Sequence, residues 1–246
     1  EHGDEIGELH GRVVADIVEP VGRTRTGGIG RIAGALVAAL KARGGQVRIS
    51  APVQAVLTDD QRARGVRLES GEEIAASIVI SGADPRHTLL DLVGAPDLPP
   101  EFVWATQSIK MRGSVAKVHL LTDGAHGLPS GTLVVAPSVR YVERAYDAAK
   151  YGQTSLEPYL EITANDKVVS IHFQFAPYAL RGAEWGQERA VLERIGIDTA
   201  ASVLPQLKSS IRDTRSLTPL DLETTYGLTE GDLNHGQLIL DQMLFM

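Results

Sequence analysis

The stretch from Thr26 to Pro85 constrains the fold more than any other, because glycines and prolines cut it into segments of one periodicity each. Thr26-Gly27-Gly28-Ile29-Gly30 is a flexible turn, with Gly27 and Gly28 free to take positive φ. It opens residues 31–43, in which Ile32, Leu36 and Leu40 recur at every fourth position on an alanine-rich background. That spacing predicts an amphipathic helix, and Arg43-Gly44-Gly45 supplies a basic last turn and a glycine stop. Short strands are expected next, at residues 46–49, 53–57 and 65–69, with a turn at Asp59-Asp60 and a tight hairpin at Ser70-Gly71. Residues 74–81 read as a further strand ending in the apolar run Ile78-Val79-Ile80. Ser81-Gly82-Ala83-Asp84-Pro85 breaks that strand, with Asp84 placed to cap a short helix begun by Pro85. The order is helix, strand, β-meander, strand, helix: an α+β segment and not a repeating βαβ unit.

The pattern changes near Leu98. Residues 115–121, 131–136, 159–162 and 167–175 read as strands, and residues 139–150 and 187–204 as helices, the second with a soft spot at Gly196. Along 167–175, Val169, Ile171, Phe173 and Phe175 share one face, which is expected to be the core, and Val168, Ser170, His172 and Gln174 share the other. Residues 99–107, with Phe102 and Trp104, look like a linker. Thr218-Pro219-Leu220-Asp221 predicts a capped helix start, and Gly227 its end. Leu238 opens an apolar run to Met246 with no terminator, for which a continuation is expected.

With 246 residues, 43% of them hydrophobic, the chain can bury a sizeable core in one large domain or two unequal ones. A formal charge of −7 with scattered Lys and Arg excludes a nucleic-acid partner. The absence of Cys excludes disulfides, thiolate nucleophiles and Cys-ligated zinc. His119 and His172 alternate within strands, and no pair of histidines has metal-ligand spacing with a third donor nearby, so structural roles and no metal are expected. No Ser sits in a strand-turn-helix elbow, which rejects hydrolase chemistry. No apolar run reaches the roughly 20 residues of a bilayer span. The opening Glu1-His2-Gly3-Asp4-Glu5 is not a signal peptide, and without Met it reads as a trimmed terminus. A cytoplasmic location is expected, with peripheral contact to a membrane surface as the alternative, for which the acidic balance gives no electrostatic help.

Several motifs carry a family resemblance. Gly27-Gly28-Ile29-Gly30, Gly44-Gly45, Pro52-Val53-Gln54-Ala55-Val56, Gly65-Val66-Arg67-Leu68, Gly71-Glu72 and Ile78-Val79-Ile80-Ser81-Gly82-Ala83-Asp84-Pro85 resemble the middle of phytoene desaturase-like and amine oxidase-like flavoproteins. Later motifs resemble one branch of that superfamily, which contains the pyridine nucleotide-disulphide oxidoreductase domain-containing protein 2 proteins. These motifs include Ser170-Ile-His-Phe-Gln-Phe-Ala-Pro-Tyr178, Leu217-Thr-Pro-Leu-Asp-Leu-Glu223 and His235-Gly-Gln-Leu238.

The resemblance implies the lower part of a Rossmann-like FAD-binding domain with a β-meander over residues 1–97. A mixed-sheet and helix substrate-binding domain follows over 98–217, and a return segment over 218–246. It implies FAD as cofactor, with the Val53 backbone against adenine, Gly27 and Gly28 near the flavin, and Ala83 and Asp84 at a ligand-binding sheet edge. It implies hydride removal from a hydrophobic small molecule, and Trp185, Phe173, Phe175, Tyr178 and Tyr159 are candidates for an apolar tunnel. No catalytic residue stands out.

The chain departs from the family in three ways. It has no strand-GxGxxG-helix unit to hold pyrophosphate. It stops before the terminal glycine-rich flavin segment. The family's loop between Ile162 and Asn165 is shortened to Thr163-Ala164, either by a true deletion or because a segment is missing there. The chain is therefore expected to be an internal piece, inactive and weak toward FAD by itself. The alternatives are a non-enzymatic binding or scaffold module, separable by the coding sequence upstream of Glu1, and an amine-oxidising flavoenzyme, separable by an aromatic cage.

Overall fold

The computed structural model describes residues 15–18, 30–237 and 239. Gly27, Gly28 and all of the run from Leu238 except Ile239 lie outside the described residues. The chain divides into two compact units, one of residues 20–109 and one joining residues 1–19 to 110–246.

In the first unit, α1 (Gly30–Ala42) forms where the fourfold spacing predicts it. Gly44 ends it with φ 81°, its N–H donating to the Lys41 carbonyl while Gly45 N–H returns to Leu40. Three antiparallel strands follow: β2 (Val53–Asp59), β3 (Arg62–Leu68) and β4 (Glu73–Ala75). The β2–β3 turn sits one residue later than expected, at Asp60-Gln61, where both residues have positive φ. That is the mirror-image turn whose twist suits a two-residue hairpin.

Two expected strands form no ladder among the described residues. Residues 46–49 and 78–80 join no strand ladder, and far from being buried, Ile49 is 86% and Ile80 91% exposed. A strand needs a neighbouring backbone, and local sequence does not supply one. A π-helical segment (His87–Gly94) and α2 (Pro100–Ser108) complete the unit. The expectation of a linker at 99–107 is thus corrected, since Pro at the first helical position starts a helix there.

The second unit is built on a six-stranded sheet in the order β1-β6-β7-β8-β5-β9. Its strands are β1 (Ala15–Val18), β5 (Val115–Thr122), β6 (Thr132–Val135), β7 (Leu160–Asn165), β8 (Val168–Gln174) and β9 (Ile211–Leu217). Every pairing is antiparallel, so the sheet is not the mixed one expected. Thr163 and Ala164 lie inside β7, which turns into β8 at Asp166-Lys167. Helices α3 (Val139–Lys150), α4 (Trp185–Val203), α5 (Leu207–Ser210) and α6 (Pro219–Tyr226) accompany it.

The period-two pattern decides the sheet's faces. Ala116, Val118, Leu120, Leu160, Ile162, Val169, Ile171 and Phe173 are buried on one face, where Leu192 and Ala200 of α4 join the same core. The soft spot at Gly196 is a close approach: a Cβ there would lie 2.2 Å from Cζ of Phe173. Phe175 leaves the core face because its backbone turns left-handed, with φ 64°.

Candidate functional site

Of the residues expected to meet a cofactor, Val53, Ala83 and Asp84 are among the described residues. Val53 is the first residue of β2, half-exposed and opposite Leu68, and the ladder slips between Val53 and Ala55. A strand end beside a bulge leaves main-chain groups available for an outside partner. Ala83 is exposed, its N–H held by Ser81 Oγ at 3.2 Å. Asp84 is buried, and its Oδ1 accepts the His87 N–H at 2.9 Å, as a helix cap does. Asp84→Ala is therefore expected to destabilise this unit by about 1 kcal/mol, measured by chemical denaturation; an unchanged midpoint would remove the capping role.

Helix α1 has no buried residue, and Ile32, Leu36 and Leu40 are all exposed. With Ile49, Ile78 and Ile80 they make six apolar residues of this unit open to solvent. Exposed apolar residues in such number mark surfaces that something else covers.

In the second unit, the sheet face opposite the core is polar. His172 of β8 stands between Lys117 of β5 and Glu161 of β7. One register step on, His119 stands between Ser170 and Arg215, with Nδ1 2.8 Å from Ser170 Oγ. Burial, then the charge of Lys117, lowers the pKa of both imidazoles, which favours their neutral form. Among the described residues no group of three or more His, Asp or Glu is placed to hold a metal ion, and no helix is long and apolar enough to cross a membrane.

Two adjoining clefts meet at Arg112, Gly113 and Ser114, the segment leading into β5. One, of about 430 Å³, runs along His172, Gln174, Asp232 and Asn234. The other, of about 370 Å³, lies between the last turn of α3 and the segment after β8. Tyr146 and Phe175 form its aromatic floor, with ring centroids 5.4 Å apart and edge to face. Tyr159 packs behind Phe175 at 6.2 Å.

The walls of this second cleft are tied together by main-chain bonds. Ala176 and Tyr178 N–H donate to Ser114 and Gly113, Gly113 N–H to Glu230, and Arg181 N–H to Gly152. A Cβ on Gly113 would stand 2.1 Å from the Glu230 carbonyl oxygen, so only glycine allows this approach. The Tyr178 hydroxyl donates to Glu223, and that bond above all pushes its pKa up to about 12.

Of the five aromatics considered for a tunnel, Phe175 and Tyr178 line this cleft. Phe173 and Trp185 are buried in the core instead, where the strand pattern and a bond from Trp185 Nε1 to the Tyr178 carbonyl hold them. Arg112, Tyr146, Lys150 and Glu230 also line it and were not expected there, since the cleft is assembled from segments more than a hundred residues apart.

The fold and the comparisons together define the class: an α+β chain similar to oxidoreductases. No protein-family model matches it. It is 27% identical to the mouse pyridine nucleotide-disulfide oxidoreductase domain-containing protein 2 over 89% of this chain and 43% of that protein. To the lycopene-forming phytoene desaturase of a Paracoccus species it is 24% identical over 88% of this chain and 45% of the desaturase. In structure it resembles an oxidoreductase from Methanosarcina mazei with a TM-score of 0.50, 13% identity, and coverage of 76% of this chain and 41% of that one. The resemblance to phytoene desaturase-like oxidoreductases, and to the domain-containing protein 2 branch in particular, therefore holds across most of the chain. The chain spans less than half the length of the curated relatives it matches.

Proposed function

We propose that the intact protein is an FAD-dependent oxidoreductase of the phytoene dehydrogenase-like kind, acting on a hydrophobic small molecule. In this reading the first unit carries the lower wall of the FAD-binding domain, and the second is the substrate domain. The observation that carries the reading is the state of residues 30–80 in a chain with these relatives. An uncovered apolar helix, two exposed apolar segments that join no ladder among the described residues and the bulged strand end at Val53 fit a nucleotide-binding sheet whose remaining strands come from further polypeptide. Bound there, FAD would supply the chemistry by accepting a hydride equivalent from a substrate C–H bond. The Val53 backbone would face the adenine, Gly27 and Gly28 the flavin side, and Ala83 and Asp84 the edge of the site. The chain's own part in this is to orient the substrate and exclude water.

Titration with FAD, followed by flavin fluorescence, tests the assignment in two arms. The 246-residue chain is expected to bind more weakly than about 1 μM, because its sequence contains no GxGxxG run to hold the pyrophosphate. A polypeptide extended to the length of the relatives is expected to retain FAD through purification. An extended protein that neither retains nor binds FAD would overturn the assignment. Sub-micromolar binding by the present chain would overturn the placing of the phosphate cradle outside it.

A further inference from the structure

We propose that the cleft between α3 and the segment after β8 binds an amphiphilic carboxylate: its anionic head toward Arg112 and Lys150, its apolar body on Tyr146, Phe175 and Pro177. This rests on the reading that the protein acts on a hydrophobic small molecule and narrows that class.

Three observations carry it. First, the charge at the cleft runs against the charge of the whole. In a chain of formal charge −7, two cations and one carboxylate, Glu230, line it. No ion pair engages Arg112 or Lys150 among the described residues. Arg112 is held through its main-chain N–H to Asp232. The Lys150 ammonium lies 5.8 Å from the Tyr151 ring centroid, a weak contact at an exposed site that a carboxylate can displace. Guanidinium groups match the two oxygens of a carboxylate in a way a single hydroxyl cannot.

Second, the floor is strained into place. Phe175 has φ 64°, an uncommon conformation for a bulky residue, and the bonds from Ala176 and Tyr178 to Ser114 and Gly113 hold it there. A side chain held against its backbone preference, in a cleft, is the pattern of a ligand-positioning residue. The same bonds fix the cleft before any ligand arrives, which lowers the ordering cost of binding.

Third, the size admits a small ligand. The cleft's 370 Å³ falls within the range of small-ligand sites, and a medium-chain acid such as decanoate is a probe small enough to enter it.

Calorimetric titration of the 246-residue chain with decanoate, and with decanol as the neutral body, tests the proposal without flavin. Failure of the FAD assignment therefore leaves this result standing, and failure here leaves that one. Decanoate is expected to bind with a Kd below about 100 μM and decanol roughly tenfold more weakly, a ratio set by the head group alone. The double variant Arg112→Ala/Lys150→Ala should lose roughly tenfold for decanoate and leave decanol unchanged. Phe175→Gly keeps the left-handed backbone and removes the ring, so it should weaken both ligands alike. Each variant is checked for a native circular dichroism spectrum. Decanoate binding only in the millimolar range, equal binding of decanol, or a double variant that binds decanoate as the parent does would each overturn the proposal.

Discussion

Phe173→Ala is expected to lower the unfolding free energy by about 3–5 kcal/mol, the largest effect of any single truncation proposed for this chain. Phe173 is 1% exposed and lies on β8 between Ala116 of β5 and Leu160 of β7. The ring reaches the backbone of α4 at Gly196, the one position on that helix face where absence of a Cβ is required by its contact. Deleting the ring removes its buried area and leaves a cavity between sheet and helix that a rigid backbone on both sides cannot close.

The opposite change tests the same contact. Gly196→Ala puts a methyl 2.2 Å from Cζ of Phe173 and is expected to cost about 1–3 kcal/mol by overpacking. Phe173→Leu in the Gly196→Ala background should recover part of that loss, so the two changes will be non-additive. Urea denaturation of the four-member cycle checks this. Additive effects would show that helix and sheet are not in contact at this point.

Asp221→Ala is expected to cost about 2–4 kcal/mol, by loss of a charge-assisted pair and a helix cap together. The Asp221 carboxylate takes a bidentate bond from Arg189, at 2.7 and 2.8 Å, and also accepts the Thr218 N–H at 2.7 Å. Thr218 Oγ1 in turn accepts the Asp221 N–H, which closes the capping box that begins α6.

The Arg189 bond, ahead of the Thr218 bonds, pulls the Asp221 carboxyl down from 3.8 to about 2. The sign follows from linkage. The folded pKa lies below the unfolded one, so the stabilisation is fully present above about pH 4 and is lost as pH falls toward 2. Because the pair is partly solvated, the pH-dependent share is on the order of 1 kcal/mol after screening. Acid titration of stability in the parent and in Asp221→Asn checks it. The variant, with no carboxylate to protonate, should lose less stability over that interval, and parallel curves would sink the assignment.

Where neighbours in sequence suffice, the chain was legible. Helix α1 follows from apolar residues every fourth position, the β2–β3 hairpin from its polar turn, and the α6 cap from Thr218 to Asp221. The core face of β8 at Val169, Ile171 and Phe173 follows from strict alternation. Strand β9 was not legible: Arg212, Asp213, Thr214 and Arg215 carry no apolar alternation, and among the described residues β9 pairs only with β5, some ninety residues earlier. Segments 46–49 and 78–80 carry strand composition, yet among the described residues they have no partner to make them strands.

The sequence by itself determined the local elements, because period and turn chemistry are properties of a few consecutive residues. The tertiary structure alone decided the cleft. Arg112, Tyr146, Lys150, Phe175 and Glu230 converge there through main-chain bonds between distant segments. It also decided the left-handed turn at Phe175, which carries that ring out of the core and onto the cleft floor. A contact between segments that far apart leaves no periodicity to read, since it is fixed by backbone groups that every residue shares.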